Sequence, residues 1–174
     1  MKNVLTSLVL TLATVLPVLA QSEADVQQVD GFRDFEWGVH LDSVSYDDGT
    51  AVGFNESERT NGGRYFQIPN DDYSIGSVLL REIHYVFSDE DDRFYKVVLV
   101  GDKVDTETME FIVDHKYGDH VNESANDDKV IKQWIVGEVT FTLLENKFNT
   151  FELEIKSDWQ AIEAYRKNVS VDDF

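Results

Sequence analysis

The sequence predicts an α+β domain: an antiparallel sheet built from two helix-plus-three-strand units, helices on one face, with an extra C-terminal helix. Three observations predict it. Apolar alternation broken by short polar turns recurs at residues 78–100 and 130–155, and strands joined so closely must run antiparallel. Between them Met109, Ile112, Val113 and Tyr117 recur at helical spacing. Ile75-Gly76-Ser77-Val78, ahead of the first hairpin, echoes Val136-Gly137-Glu138-Val139, ahead of the second.

Residues 1–20 carry the three parts of a secretory signal. Lys2 is the positive start, Val4 to Leu16 the apolar run, and Val18-Leu19-Ala20 the small-residue cleavage site after Pro17. A bilayer-spanning helix needs about 20 apolar residues, more than this run offers before its proline. Cleavage near Ala20, and no membrane span in the mature chain, is the expectation. No cysteine follows the run, so a lipid anchor of the bacterial type is excluded. Residues 21–30 are polar and read as a flexible lead-in, and residues 31–174 as a single domain.

Within that domain, Phe35 and Trp37 fall on one face of a short strand, and residues 39–46 read as a short helix with Leu41 and Val44 inward. Residues 47–63 are rich in Asp, Gly, Asn, Ser and Thr and read as a loop. Tyr65 to Ile68 is a short strand, Val78 to Phe87 and Phe94 to Val100 a hairpin. Asp105 is placed to cap the helix that Gly118 stops. Residues 119–129 read as a polar loop. Val130 to Trp134, Val139 to Leu144 and Thr150 to Ile155 are the second set of strands. Ser157-Asp158-Trp159-Gln160 fits a capping box opening the last helix.

The formal net charge is −19, from 34 acidic and 15 basic residues. Nucleic acid and anionic membrane surfaces demand a basic footprint, so the charge argues against both as partners. A cationic partner or a solvated acidic surface fits. The chain has no cysteine, so it stabilises itself by packing, without the disulfides common in small exported domains. That favours a bacterial periplasm or the external medium as its location. Three glycosylation sequons, at Asn55, Asn122 and Asn168, matter only in a eukaryotic source.

Phe35-Glu36-Trp37-Gly38-Val39-His40-Leu41-Asp42-Ser43-Val44 resembles the WG-x-x-L-x-x-V opening of small exported bacterial α+β proteins of unassigned function. Tyr117-Gly118 and Trp134 match their later helix stop and Trp-bearing strand. The helix-and-hairpin order is similar to the modules of β-lactamase-inhibitory proteins and outer-membrane assembly lipoproteins. The resemblance implies a fold and a compartment, and brings over no catalytic residue.

Catalytic chemistry has little to stand on: there is no cysteine, no Gly-x-Ser-x-Gly elbow and no phosphate-cradling glycine loop. His115, His120 and Asp119 are the candidate metal ligands, of the right types for zinc, although they span a helix end. Tyr65, Phe66, Trp37 and Trp134 are the candidate ligand- or partner-binding aromatics. Core packing is the competing role for each, and Tyr65 and Phe66, as strand neighbours, point to opposite faces. The expectation is an exported non-enzymatic module, without cofactor, that recognises a protein partner, a basic one by charge. The alternative is a small-ligand or metal-binding protein, with a hydrolase as its enzymatic form.

Overall fold

The computed structural model describes residues 29–44, 55–60, 63–126 and 129–160. The signal-sequence reading lies outside these residues, as does the expected C-terminal helix beyond Gln160.

A minimal hairpin, β1 (Gly31–Phe32) and β2 (Phe35–Glu36), opens the described chain. Then come β3 (Asn55–Thr60), β4 (Gly63–Gln67), β5 (Ser74–Ile75), β6 (Val78–Phe87) and β7 (Phe94–Asp102). Helix α1 (Thr106–Tyr117) follows. After it lie β8 (Asn122–Ala125), β9 (Lys129–Val136), β10 (Val139–Asn146) and β11 (Thr150–Ser157). From β3 onward the strands form one antiparallel sheet in the order β3-β4-β6-β7-β11-β10-β9-β8, with β5 paired to β6.

This overturns the expected α+β arrangement of two helix-plus-three-strand units with helices on one face and an extra C-terminal helix. The described chain is mostly antiparallel sheet, and α1 is its one complete α-helix. Each half of the sheet is a four-stranded meander, and the halves meet through their last strands, with Leu99 opposite Leu153.

The helix expected at residues 39–46 is reduced to a 3-10 turn at Leu41–Ser43. Its backbone is committed elsewhere. Gly38 N donates to Phe94 O, Phe94 N to Val39 O and Leu41 N to Asp92 O. A chain bonded across to the start of β7 cannot also close i to i−4 bonds.

Two strands stand where loops were expected. β3 reads Asn-Glu-Ser-Glu-Arg-Thr and β8 reads Asn-Glu-Ser-Ala, and they form the two outer edges of the sheet. Polar edge strands lack alternation and discourage pairing with other chains. The echoed tetrapeptides are tight turns: Gly76 and Gly137 hold φ of 59° and 57° between the pairs Ile75↔Val78 and Val136↔Val139. The following Ser77 and Glu138 keep negative φ, so both turns are of the II′ kind that glycine favours.

Gly118 ends α1 with φ 89°, its N–H donating to Asp114 O. Asp105 stands at the helix start but makes no side-chain cap bond; Thr106 Oγ1 instead donates to Lys103 O at 2.8 Å. Ser157 ends β11, and its buried hydroxyl has no hydrogen-bond partner, so the expected capping box does not close.

The core lies on one face of the sheet. Phe66, Ile83, Tyr85, Phe87, Phe94, Val97, Leu99, Trp134, Phe141, Leu143, Phe151 and Leu153 form one cluster there. Met109 and Val113 of α1 cover it, and Trp37, Phe35, Val39 and Trp159 pack against it. Gly101 is required by this packing: a Cβ there would meet Phe151 Cε1 at 2.3 Å.

Candidate functional site

Strand periodicity sends every second side chain to the opposite face, away from this core. The pairings define the rows on that second face. One row crosses six strands: His84, Val98, Glu154, Thr142, Gln133 and Asn122. Beside it run Glu82, Val100, Glu152, Leu144, Ile131 and Ser124. A third row carries Tyr65, Val86, Lys96 and Lys156. Neighbouring strands are about 4.8 Å apart, so six of them present a surface about 24 Å wide. The loop residue Tyr73, Ile112 and Tyr117 of α1, and Trp159 all pack on the core side. On the second side Val86 and Val98 are themselves buried.

Polar side chains here hold one another. Lys96 Nζ donates to the Tyr65 hydroxyl at 3.1 Å and lies 3.3 Å from Glu154 Oε2. His84 Nε2 lies 2.8 Å from Glu82 Oε2, and the His84 ring meets the Tyr65 ring edge-on at 6.0 Å. Burial pulls the Lys96 pKa down, but the Tyr65 hydroxyl and the Glu154 charge outweigh it and the net shift is upward. Lys96 therefore stays a cation, an electrostatic anchor and not a base. Tyr95 is shifted upward, chiefly by burial, and stays neutral. Gly63 makes room for it: a Cβ there would meet Val86 Cγ1 at 2.6 Å and the Tyr95 hydroxyl at 2.9 Å.

Of the aromatic candidates, Tyr65 lies on this second face, half-buried beside Lys96. Phe66, its neighbour, points into the core against Phe87 at 5.6 Å between ring centroids. Trp37 is buried, stacked on Phe94 at 4.9 Å, with Nε1 donating to Val29 O. Trp134 is 1% exposed and donates from Nε1 to Asp114 Oδ1 at 2.8 Å. These three sit where packing needs them.

The candidate metal ligands separate. His115 lies on the outer side of α1, stacked on the exposed Phe111 ring at 5.8 Å. Asp119 is exposed. His120 turns inward beneath α1, and Glu110, Asp114 and His120 each place one donor atom within 4.8 Å of the others. Glu110 and Asp114 are one helical turn apart, a spacing the sequence displays, although the fold alone places His120 against them.

Glu82, His84, Lys96 and Glu154 are the residues that sequence reasoning missed. Glu82 and His84 carried a signal, since i and i+2 share a strand face; Lys96 and Glu154 meet only through the β7–β11 register.

No family model, no curated protein and no solved structure matches the chain. Among the described residues, no helix is long and apolar enough to cross a membrane.

Proposed function

We propose that this is an exported binding module that recognises a protein partner through the second face of its sheet, without catalysing a reaction. One observation carries the reading: a sheet face six strands wide on which half-buried polar and apolar residues alternate, set opposite the closed core. Tyr65 and His84 supply ring area, Leu144, Ile131 and Val100 apolar contact, and Glu82, Glu152 and Thr142 hydrogen-bonding groups. Such mixtures suit interfaces that exclude water at the centre and stay polar at the rim. A formal charge of −19 selects a basic partner surface and steers its approach. The signal-like residues 1–20 and the absence of cysteine support a periplasmic or secreted location.

The test is capture from an envelope extract at low and high salt. The expected result is a partner retained at low salt, released by high salt, and lost when Glu82 and Glu152 are both changed to Lys. Retention that this double substitution leaves unchanged would remove the second face from the account.

A further inference from the structure

We propose that Glu110, Asp114 and His120 form a binding site for a single divalent transition-metal ion of the zinc type. The site lies on the core side of the sheet, beneath α1. It is therefore independent of the protein-binding reading of the opposite face.

Three features converge on it. Glu110 and Asp114 stand one turn apart on α1, so their carboxylates share the helix face turned to β9. Like charges at that spacing repel, and a cation between them relieves the repulsion. His120 reaches the same place from the loop after Gly118, with Nδ1 4.0 Å from Glu110 Oε1. That Nδ1 has under 1 Å² of exposed surface and no hydrogen-bond partner. In the tautomer with its proton on Nε2, this shielded nitrogen beside the Glu110 carboxylate has a lone pair that no hydrogen-bond donor takes.

The surrounding residues prepare the ligands. Glu123 Oε2 lies 3.4 Å from His120 Nε2, which favours the tautomer with its proton on Nε2 and the lone pair on Nδ1. A carboxylate behind a ligating histidine is the usual support of such sites. The Trp134 indole holds Asp114 through Oδ1 and meets the His120 ring edge-on at 5.7 Å. Ligands about 2.0–2.2 Å from zinc sit about 3.3–3.6 Å apart in a tetrahedron. A spread of 4.8 Å therefore closes with modest side-chain turns. One imidazole and two carboxylates leave a fourth position for water, and the nitrogen donor favours zinc-like ions over calcium or magnesium.

Lys132 is the competitor. Its ammonium is bonded to Glu110 Oε1, and that bond, against the opposing effect of burial, raises its pKa. It supplies one positive charge to a pair of carboxylates, and a metal ion must displace it or bind beside it. Removing that charge strengthens metal binding, whereas removing an ordinary structural ion pair would leave binding unchanged.

The experiment is calorimetric titration of the purified full-length protein with Zn²⁺, with Co²⁺ absorbance as a report on geometry. The expected result is one equivalent bound, weakened more than about tenfold by His120→Ala and about tenfold by Glu123→Gln. His115→Ala leaves binding as it was, and Lys132→Met tightens it severalfold. Should His120→Ala fail to fold, the His120 ring resonances of the unaltered protein are followed by NMR, and they shift with the first equivalent of Zn²⁺. The inference is overturned by no binding, by weak binding at many sites that His120→Ala does not change, by an unmoved His120 ring, or by unchanged affinity in Lys132→Met.

Discussion

On the core side of the sheet, Phe94 packs against Trp37, Phe35, Tyr85 and Phe87, with ring centroids 4.9–6.1 Å apart. Two residues further along the same strand, where a register shift against β6 (Phe87 opposite Phe94, Val86 opposite Lys96) breaks the alternation, Lys96 is held on the other side by a phenol and a carboxylate. The first environment is closed by α1 and by residues 29–44. On the second side the polar groups of Tyr65, Lys96 and Glu154 lie across one another, and Val86 and Val98 are buried among their neighbours. One strand thus feeds a packed aromatic interior on one side and a network of polar groups on the other. If the proposed recognition resides on the second side, stability and binding can be altered separately.

The largest expected contrast is in unfolding free energy. Phe94→Ala should cost about 3–5 kcal/mol in a urea titration, the range for removing a buried aromatic ring. Tyr65→Ala on the opposite face should cost well under half of that, and equal costs would break the comparison.

Next is Gly101→Ala, expected to cost about 1–3 kcal/mol because the new methyl must displace the Phe151 ring. Thermal unfolding would register the loss, and a neutral substitution would show that the ring is not seated on the glycine.

Tyr85 sharpens the comparison through pH. Burial, and then the hydrogen bond it donates to Asp71, raise its pKa well above the ordinary tyrosine value. In the folded protein the phenol keeps its proton, whereas the unfolded chain loses it above about pH 10. The stability it contributes is therefore complete below about pH 10 and declines as pH rises beyond. Tyr85→Phe should lose about 1–2 kcal/mol at neutral pH, with Asp71 left one donor short, and show a shallower alkaline decline. A decline as steep as in the unaltered protein would place the titrating group elsewhere.

The smallest effect belongs to the second face. Lys96→Met, which breaks the contact with Glu154, should change stability by about 1 kcal/mol or less, since the carboxylate partner is 40% exposed.

The inner strands were legible because their alternation is strong. In β10 and β11, Val139, Phe141, Leu143, Phe151, Leu153 and Ile155 mark the buried face without ambiguity. Helix α1 was legible from Met109, Val113 and the stop at Gly118. The edge strands were not, because Asn-Glu-Ser-Glu-Arg-Thr and Asn-Glu-Ser-Ala show no apolar period and pair on one side only. The reading of two three-stranded units failed for that reason: each half holds a fourth strand whose residues look like loop. The segment 39–46 misled because its helical spacing is real but its backbone is bonded to β7.

The sites were legible in fragments. Tyr65 and Phe66 could be seen to face opposite ways, but Lys96 reaches Tyr65 across β6 from 31 residues away, and Glu154 reaches Lys96 from 58 residues away through the β7–β11 pairing. His120 stood out by type, while the nearest acidic residue in sequence, Asp119, turned outward. Its true neighbours, Asp114 and Glu110, lie about one and two helical turns back from the helix end at Tyr117, and the turn at Gly118 folds His120 onto them.

The central claim, that recognition resides on the second face, is tested most directly by matched charge reversals. Glu82→Lys with Glu152→Lys alters that face, and Glu107→Lys with Asp119→Lys makes the same change in net charge on exposed residues in and beside α1. Partner capture from an envelope extract is then compared at low salt, with the fold of each variant checked by circular dichroism. The account predicts that the first pair abolishes capture and the second leaves most of it. Equal losses from both pairs would mean that overall charge, and not this face, holds the partner, and would contradict the account.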